Sequence, residues 1–287
     1  RFFLSLQSSR MAATVMSRLG MGSLSRAGIG RLSLFAHQQL RTPAPHSRLL
    51  SSSSLSYKMI GDPLHRVPAL ATPPGPKGGL VVLQEWWGIN DQVKKTATDM
   101  AVATGCRVIV PDLFRSKQAY EAAEAQHLLE GLDWEGALHD VNASALHLRS
   151  EGCDKVAVMG FCMGGALALG AANLLPDVDA AVCFYGWNKG LSDVSRMSVP
   201  VQCHFGNKDD IPGFSDKAAA DELKGLLEGS GCMLEFYQYL ELGHGFMNGT
   251  EWGKEMNAKL GRPPIRDDCI ADATSRSVDF LRKHILS

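Results

Sequence analysis

The chain has 287 residues, 45% of them apolar and 21% charged, with a formal net charge of −1. That length supports a substantial core and suits one α/β domain. The near-neutral charge gives no electrostatic basis for a nucleic acid or an anionic membrane as partner, and no stretch approaches the roughly 18 apolar residues of a bilayer span. The seven cysteines form no C-x-x-C pair and are odd in number, which argues against a disulfide framework or structural zinc. Free thiols suit a reducing compartment. No metal or cofactor is expected.

The N-terminal segment differs from the rest. No Asp or Glu precedes Asp62, whereas Arg1, Arg10, Arg18, Arg26, Arg31, Arg41 and Arg48 are spread along it, and Ser51 to Ser54 form a serine run. An Arg-rich, Ser-rich, acid-poor leader is the pattern of an organelle transit peptide. Such a segment can form a basic amphipathic helix on a membrane surface but cannot build a core. Arg48-Leu49-Leu50-Ser51 has the form of a mitochondrial processing site with arginine at minus three. The expectation is a disordered leader over 1–56, mitochondrial targeting (with plastid or cytoplasm as alternatives), and a single domain over 57–287.

Along that domain, residues 64–71 are expected as a first strand and Pro73-Pro74-Gly75-Pro76 as a rigid connector. Residues 79–84 form a continuous apolar run, as for a strand buried on both faces. Residues 91–104 have helical spacing, with Val93, Ala97, Met100 and Ala101 on one face. A strand over 107–110 leads to Pro111-Asp112, and helices are expected over 118–130 and 134–149. Beyond them come strands over 179–185, 199–205 and 233–240, a helix over 214–228 and a closing amphipathic helix over 267–285. Strands alternating with helices predict an α/β fold with a mostly parallel central sheet covered on both faces.

The most specific run is 155–169. A β-branched strand meets Gly160-Phe161-Cys162-Met163-Gly164-Gly165, and a small-residue helix follows. This is the G-x-nucleophile-x-G pattern of a nucleophile elbow, with cysteine at its centre. Gly160 and Gly164 leave room where a Cβ would meet the neighbouring strand and helix. The helix starting at Met163 aims free N–H groups and its dipole at the sulfur, which favours a thiolate and any adjacent oxyanion. Taken alone, Cys162 could equally be a small buried hydrophobe. Downstream, one strand ends in Gly206-Asn207-Lys208-Asp209 and another leads to Gly243-His244-Gly245-Phe246. An acid and then a histidine thus follow the nucleophile, each just past a strand end, in the chain order of α/β-hydrolases. Asp209 and Asp210 both fit the acid by position. His204, inside a strand, reads as a packed residue.

Two further motifs, Gln84-Glu85-Trp86-Trp87-Gly88-Ile89-Asn90 and Val110-Pro111-Asp112-Leu113-Phe114, complete a resemblance to the dienelactone hydrolases (carboxymethylenebutenolidases) over residues 78–287. The resemblance implies an α/β-hydrolase fold and a triad of Cys162, Asp209 and His244. Glu85 leaves a buried strand at its carboxyl end, so it needs a partner; the resemblance names the resting Cys162 thiol. It also places an oxyanion hole at the N–H groups of Met163 and Trp86. Tyr185 and Phe246, with Trp86, are expected to wall the pocket, whereas Trp87 reads as core. The family holds its substrate carboxylate with two arginines. Arg115 matches the first, on a loop one residue shorter, but Asn248 stands where the second belongs.

The expected function is therefore cysteine-dependent hydrolysis of small esters or lactones through an acyl-enzyme, by a monomer or weak homodimer. The alternatives are a carboxylesterase without anion preference and a non-catalytic binding protein with a vestigial site. Neither a G-x-G-x-x-G nor a P-loop motif supports a nucleotide-binding reading.

Overall fold

The computed structural model describes residues 54–63, 65–73 and 77–287. Most of the expected leader thus lies outside the described residues. Its last position, Ser56, opens strand β1 (Ser56–Ile60), which sequence reading did not foresee. The strand expected over 64–71 begins only at Val67, as β2 (Val67–Ala71). These two form an antiparallel pair, with Ser56 opposite Ala71 and Ile60 opposite Val67.

The remaining strands are β3 (Gly78–Leu83), β4 (Arg107–Pro111), β5 (Lys155–Phe161), β6 (Ala180–Phe184), β7 (Val201–Gly206) and β8 (Leu234–Tyr239). They join β1 and β2 in one eight-stranded sheet of order β1-β2-β4-β3-β5-β6-β7-β8. β2 also pairs antiparallel with β4, and every pair from β4 to β8 is parallel. The apolar runs Gly-Gly-Leu-Val-Val-Leu of β3 and Ala-Ala-Val-Cys-Phe of β6 are buried at every position, as central strands covered on both faces must be. Edge strand β8 is half-buried throughout.

Helices α1 (Asp91–Thr104) and α7 (Asp267–Ile285) pack together over one face of the sheet. The other face carries α3 (Trp134–Ser150), α4 (Met163–Leu174) and α5 (Lys217–Ser230). α1 buries Val93, Ala97 and Met100 and is capped by Asn90, whose Oδ1 accepts from the N–H of Val93 at 3.1 Å. α7 begins with Asp267 and Asp268 and ends with Arg282, Lys283 and His284, matching the helix dipole at both ends. α4 is buried along nearly its whole length because its glycines and alanines let it lie close against β5 and β6.

Two helices start later than their spacing predicts. α2 (Ala122–Glu130) leaves out 118–121 because the N–H of Ala119 donates to the Trp87 carbonyl (3.0 Å) and Gln118 bonds Ile89. α5 starts only after Asp216, which caps it, because 211–216 fold into a turn around Asp209. A further helix, α6 (Glu251–Lys259), is polar and capped by Thr250, and no periodicity announces it. Because β3 and β5–β8 run parallel, the residues that leave them (Glu85, Cys162, Tyr185, Asp209 and His244) all emerge at one edge of the sheet, where α/β proteins place their sites.

Candidate active site

Cys162 occupies the turn between β5 and α4 with φ 55° and ψ −119°, a backbone region that L-residues rarely enter. The turn is held by its N–H to the carbonyl of Phe184 (3.0 Å) and by its own carbonyl, which accepts from Ala166 (3.1 Å). A Cβ on Gly160 would lie 1.9 Å from the Gly164 carbonyl oxygen, and one on Gly164 would lie 2.5 Å from that of Gln84. Both positions therefore need glycine for the close approach of helix to sheet. The sulfur sits at the N-terminus of a 12-residue helix, where orphan N–H groups and the dipole favour negative charge.

His244 Nδ1 lies 2.8 Å from Oδ2 of Asp209. Cys162 lines the same cleft as His244 and acts electrostatically on its imidazole. Burial opposes a charge on His244, but Asp209 and Cys162 outweigh it and raise its pKa to about 10. Asp209 is held in turn: its Oδ1 accepts from the N–H of Ile211 (3.1 Å) and the hydroxyl of Ser215 (2.9 Å). That hydroxyl oxygen is also 3.0 Å from His244 Nδ1, so Ser215 bridges acid and histidine. Ser215 is fully buried, a member of the cluster that no motif reveals. Asp210 makes no bond to the histidine and instead accepts from Nε of Arg262 at 3.2 Å.

Glu85 is buried, and its partner is not the thiol. Its Oε1 accepts from the Tyr185 hydroxyl at 2.9 Å, while Cys162 engages the histidine. The expectation that a buried carboxylate needs a partner is met by a phenol 100 residues further on. Burial raises the Glu85 pKa, and His244, Tyr185 and Arg262 only partly offset it. Tyr185 is itself pushed well above its usual range by burial and by Glu85. Its ring stands edge-on to His244, with centroids 5.0 Å apart, and to Phe246, 5.1 Å apart. Tyr185 and Phe246 thus pack behind the cleft rather than wall it.

The cleft itself is bounded by Glu85, Trp86, Cys162, His244, Asn248 and Arg262, with Met256, Asn257 and Leu260 closing it from α6 and the turn that follows. The N–H of Trp86 finds no acceptor among the described residues. Met163 is the first residue of α4, so its N–H has no intrahelical acceptor either. Arg115, expected here, lies elsewhere. Positive φ at Arg115 (53°) and Ser116 (68°) turns the loop toward α3. There the guanidinium grips buried Asp140 through Nη1 (2.6 Å) and Nη2 (3.0 Å). A larger cavity of about 300 Å³ between α1 and α7 holds neither thiol nor histidine, so chemistry rather than size selects the cleft.

The model of the dienelactone hydrolase family matches residues 68–284. The chain belongs to the dienelactone hydrolase family. It is 29% identical over 219 residues to the carboxymethylenebutenolidase of Pseudomonas putida, covering 70% of this chain and 84% of that protein. It is 26% identical over 227 residues to protein usf of Aquifex pyrophilus, covering 75% and 92%. A dienelactone hydrolase-like promiscuous phosphotriesterase, P91, from metagenomic libraries superposes with a TM-score of 0.67 at 20% identity, over 80% of this chain and 98% of that one. An α/β hydrolase from a Medee basin deep-sea metagenome library superposes with a TM-score of 0.59 at 16% identity, over 80% and 99%. The fold is that of the α/β hydrolases, and family membership makes this dienelactone hydrolase relative a hydrolytic enzyme of the ester and lactone class.

Proposed function

We propose that the protein hydrolyses small esters or lactones by nucleophilic catalysis at Cys162, with His244 as acid–base and Asp209 as its orienting partner. The observation that carries this reading is the His244–Asp209 hydrogen bond at 2.8 Å, with Cys162 on its elbow lining the same cleft as that imidazole. With the His244 pKa raised to about 10, the imidazole is charged at neutral pH and stands ready to donate a proton. The Cys162 thiolate attacks the substrate carbonyl carbon. The resulting oxyanion is held by the N–H groups of Met163 and Trp86, and each such donor is worth about 10²–10³ in rate. The C–O bond then breaks, and His244 gives its proton to the leaving alkoxide. In a lactone that alkoxide stays tethered, so the acyl-enzyme is a ring-opened hydroxy thioester. Neutral His244 next takes a proton from water, whose oxygen attacks the thioester. The C–S bond breaks, the carboxylic acid leaves and gives its proton to solvent, and thiolate and imidazolium are restored. Glu85, held by Tyr185, supplies polarity beside the thiol. In this arrangement it does not mask the resting sulfur.

Cys162→Ala tests the reading. It is expected to abolish turnover of aryl esters and lactones while preserving the fold, and iodoacetamide is expected to block the wild-type chain. Full activity in that variant, with the other six of the seven cysteines unchanged, would remove Cys162 from the mechanism.

We also propose that the leader directs the enzyme to mitochondria and is cleaved near Ser51, on the strength of its arginine spacing and lack of acids. Residues 1–60 fused to a fluorescent protein are expected to enter mitochondria. Cytosolic fluorescence would refute targeting, and plastid import would move the compartment.

A further inference from the structure

Arg262 lies in the turn between α6 and α7, and that turn is pinned. The N–H of Gly261 donates to Ala258 (2.9 Å), the N–H of Arg262 donates to Asn257 (3.1 Å), and Asn257 Nδ2 donates to Pro263 (2.6 Å). The side chain is only 9% exposed and reaches into the cleft that holds Cys162 and His244. Asp210 takes it side-on, through Nε alone. Neither Nη has a hydrogen-bond partner among the described residues, and neither is sealed from solvent. Arg115, by contrast, spends both arms of its fork on Asp140. Arg262 instead keeps its fork unpaired in the cleft that also holds Cys162. Its charge is felt at Glu85, whose pKa it lowers against burial. Trp87, Met256 and Leu260 line the same cleft, and apolar walls strengthen any ion pair formed there.

We infer that Arg262 is the specificity-determining residue for a carboxylate-bearing ester or lactone, with Asp210 as its positioning residue. The fork matches a carboxylate through two parallel charge-assisted hydrogen bonds. The inference rests on the hydrolase reading for the identity of the reacting bond. It assigns the anion anchor to the turn after α6, neither to Arg115 nor to the position held by Asn248. It also explains why two aspartates stand side by side: Asp209 serves the histidine, and Asp210 aims the arginine.

Two measurements on the full chain test it. The first compares 5-oxotetrahydrofuran-2-carboxylate with its primary carboxamide, the same lactone without the charge. The acid-to-amide ratio of kcat/KM is expected to fall by about tenfold or more in Arg262→Gln, the scale of a lost charge-assisted bond. Arg262→Lys, with the charge but not the fork, is expected to recover it only in part. A ratio that stays within about twofold in Arg262→Gln overturns the inference. The second measurement needs no turnover: calorimetric binding of glutarate to Cys162→Ala is expected to weaken by about tenfold when Arg262→Gln is added, and less when Asp210→Asn is added. If the wild-type chain opens neither lactone, the hydrolase reading fails while glutarate binding still decides the role of Arg262. Glutarate binding that ignores Arg262, or no glutarate binding to Cys162→Ala, overturns the inference.

Discussion

The hydroxyl of Ser215 donates to Oδ1 of Asp209 across 2.9 Å. Its oxygen also lies 3.0 Å from Nδ1 of His244, so the histidine's N–H is shared between carboxylate and hydroxyl. Ser215 acts through the acid rather than on substrate. Ser215→Ala is expected to lower kcat by about tenfold with little change in KM, as one of several bonds holding Asp209 is lost. In an Asp209→Asn background the same change is expected to cost almost nothing more, because the carboxylate it positions is gone. Fully additive losses in this double-mutant cycle would show Ser215 to be only a packing residue.

Asp209 and Asp210 are expected to separate sharply. Asp209→Asn presents an amide to Nδ1 and disfavours the tautomer that the reaction needs, so kcat is expected to drop by about 10⁴. Asp210→Asn leaves the histidine untouched and is expected to cost a neutral aryl ester less than about tenfold. Steady-state kinetics on 4-nitrophenyl acetate measures both. The reverse ranking would assign the orienting role to Asp210.

Glu85 predicts a pH dependence of stability. Burial, its largest influence, raises its pKa above the ordinary value of 4.5. A carboxyl with a raised folded pKa contributes stability that is full below the unfolded value and is lost as pH rises through the folded value. Glu85→Gln carries no such titration, so its Tm relative to wild type is expected to climb as pH rises from 4 to 8 (about the span of ordinary carboxylate titration and beyond). A Tm difference that stays flat across this range would mean that the carboxyl is not desolvated in solution.

Arg115 is expected to behave as a structural residue. Asp140 is buried and accepts from both arms of its guanidinium and from His65 at 2.9 Å. Arg115→Ala removes the stronger partner and is expected to cost about 1–3 kcal/mol of stability, the range for a buried acceptor losing its donor. Denaturant unfolding measures this. The acid-to-amide ratio of the lactone pair is expected to stay at its wild-type value, since the side chain does not reach the cleft. A ratio that falls with Arg115→Ala would return Arg115 to the site.

The elbow at Cys162 is legible in the sequence because everything that makes it is local. A β-branched strand, a glycine on either side of the turn and a small-residue helix fall within about fifteen consecutive positions, and each has its own steric reason. The parallel sheet is equally legible, since strands buried on both faces must be apolar at every position. Strand ends then nominate Asp209 and His244 by order alone. α6 was not legible: it is a polar helix whose covering role depends on Thr250 capping it beside the histidine loop. What tertiary structure alone decided is which side chains meet at the shared edge of the sheet. Glu85 finds Tyr185, Ser215 joins Asp209, Arg115 turns to Asp140, and Arg262 enters the cleft from the turn after α6. Periodicity encodes which face of an element is buried. It carries no record of how loops from different strands converge, and a charged side chain's partner is set by that convergence.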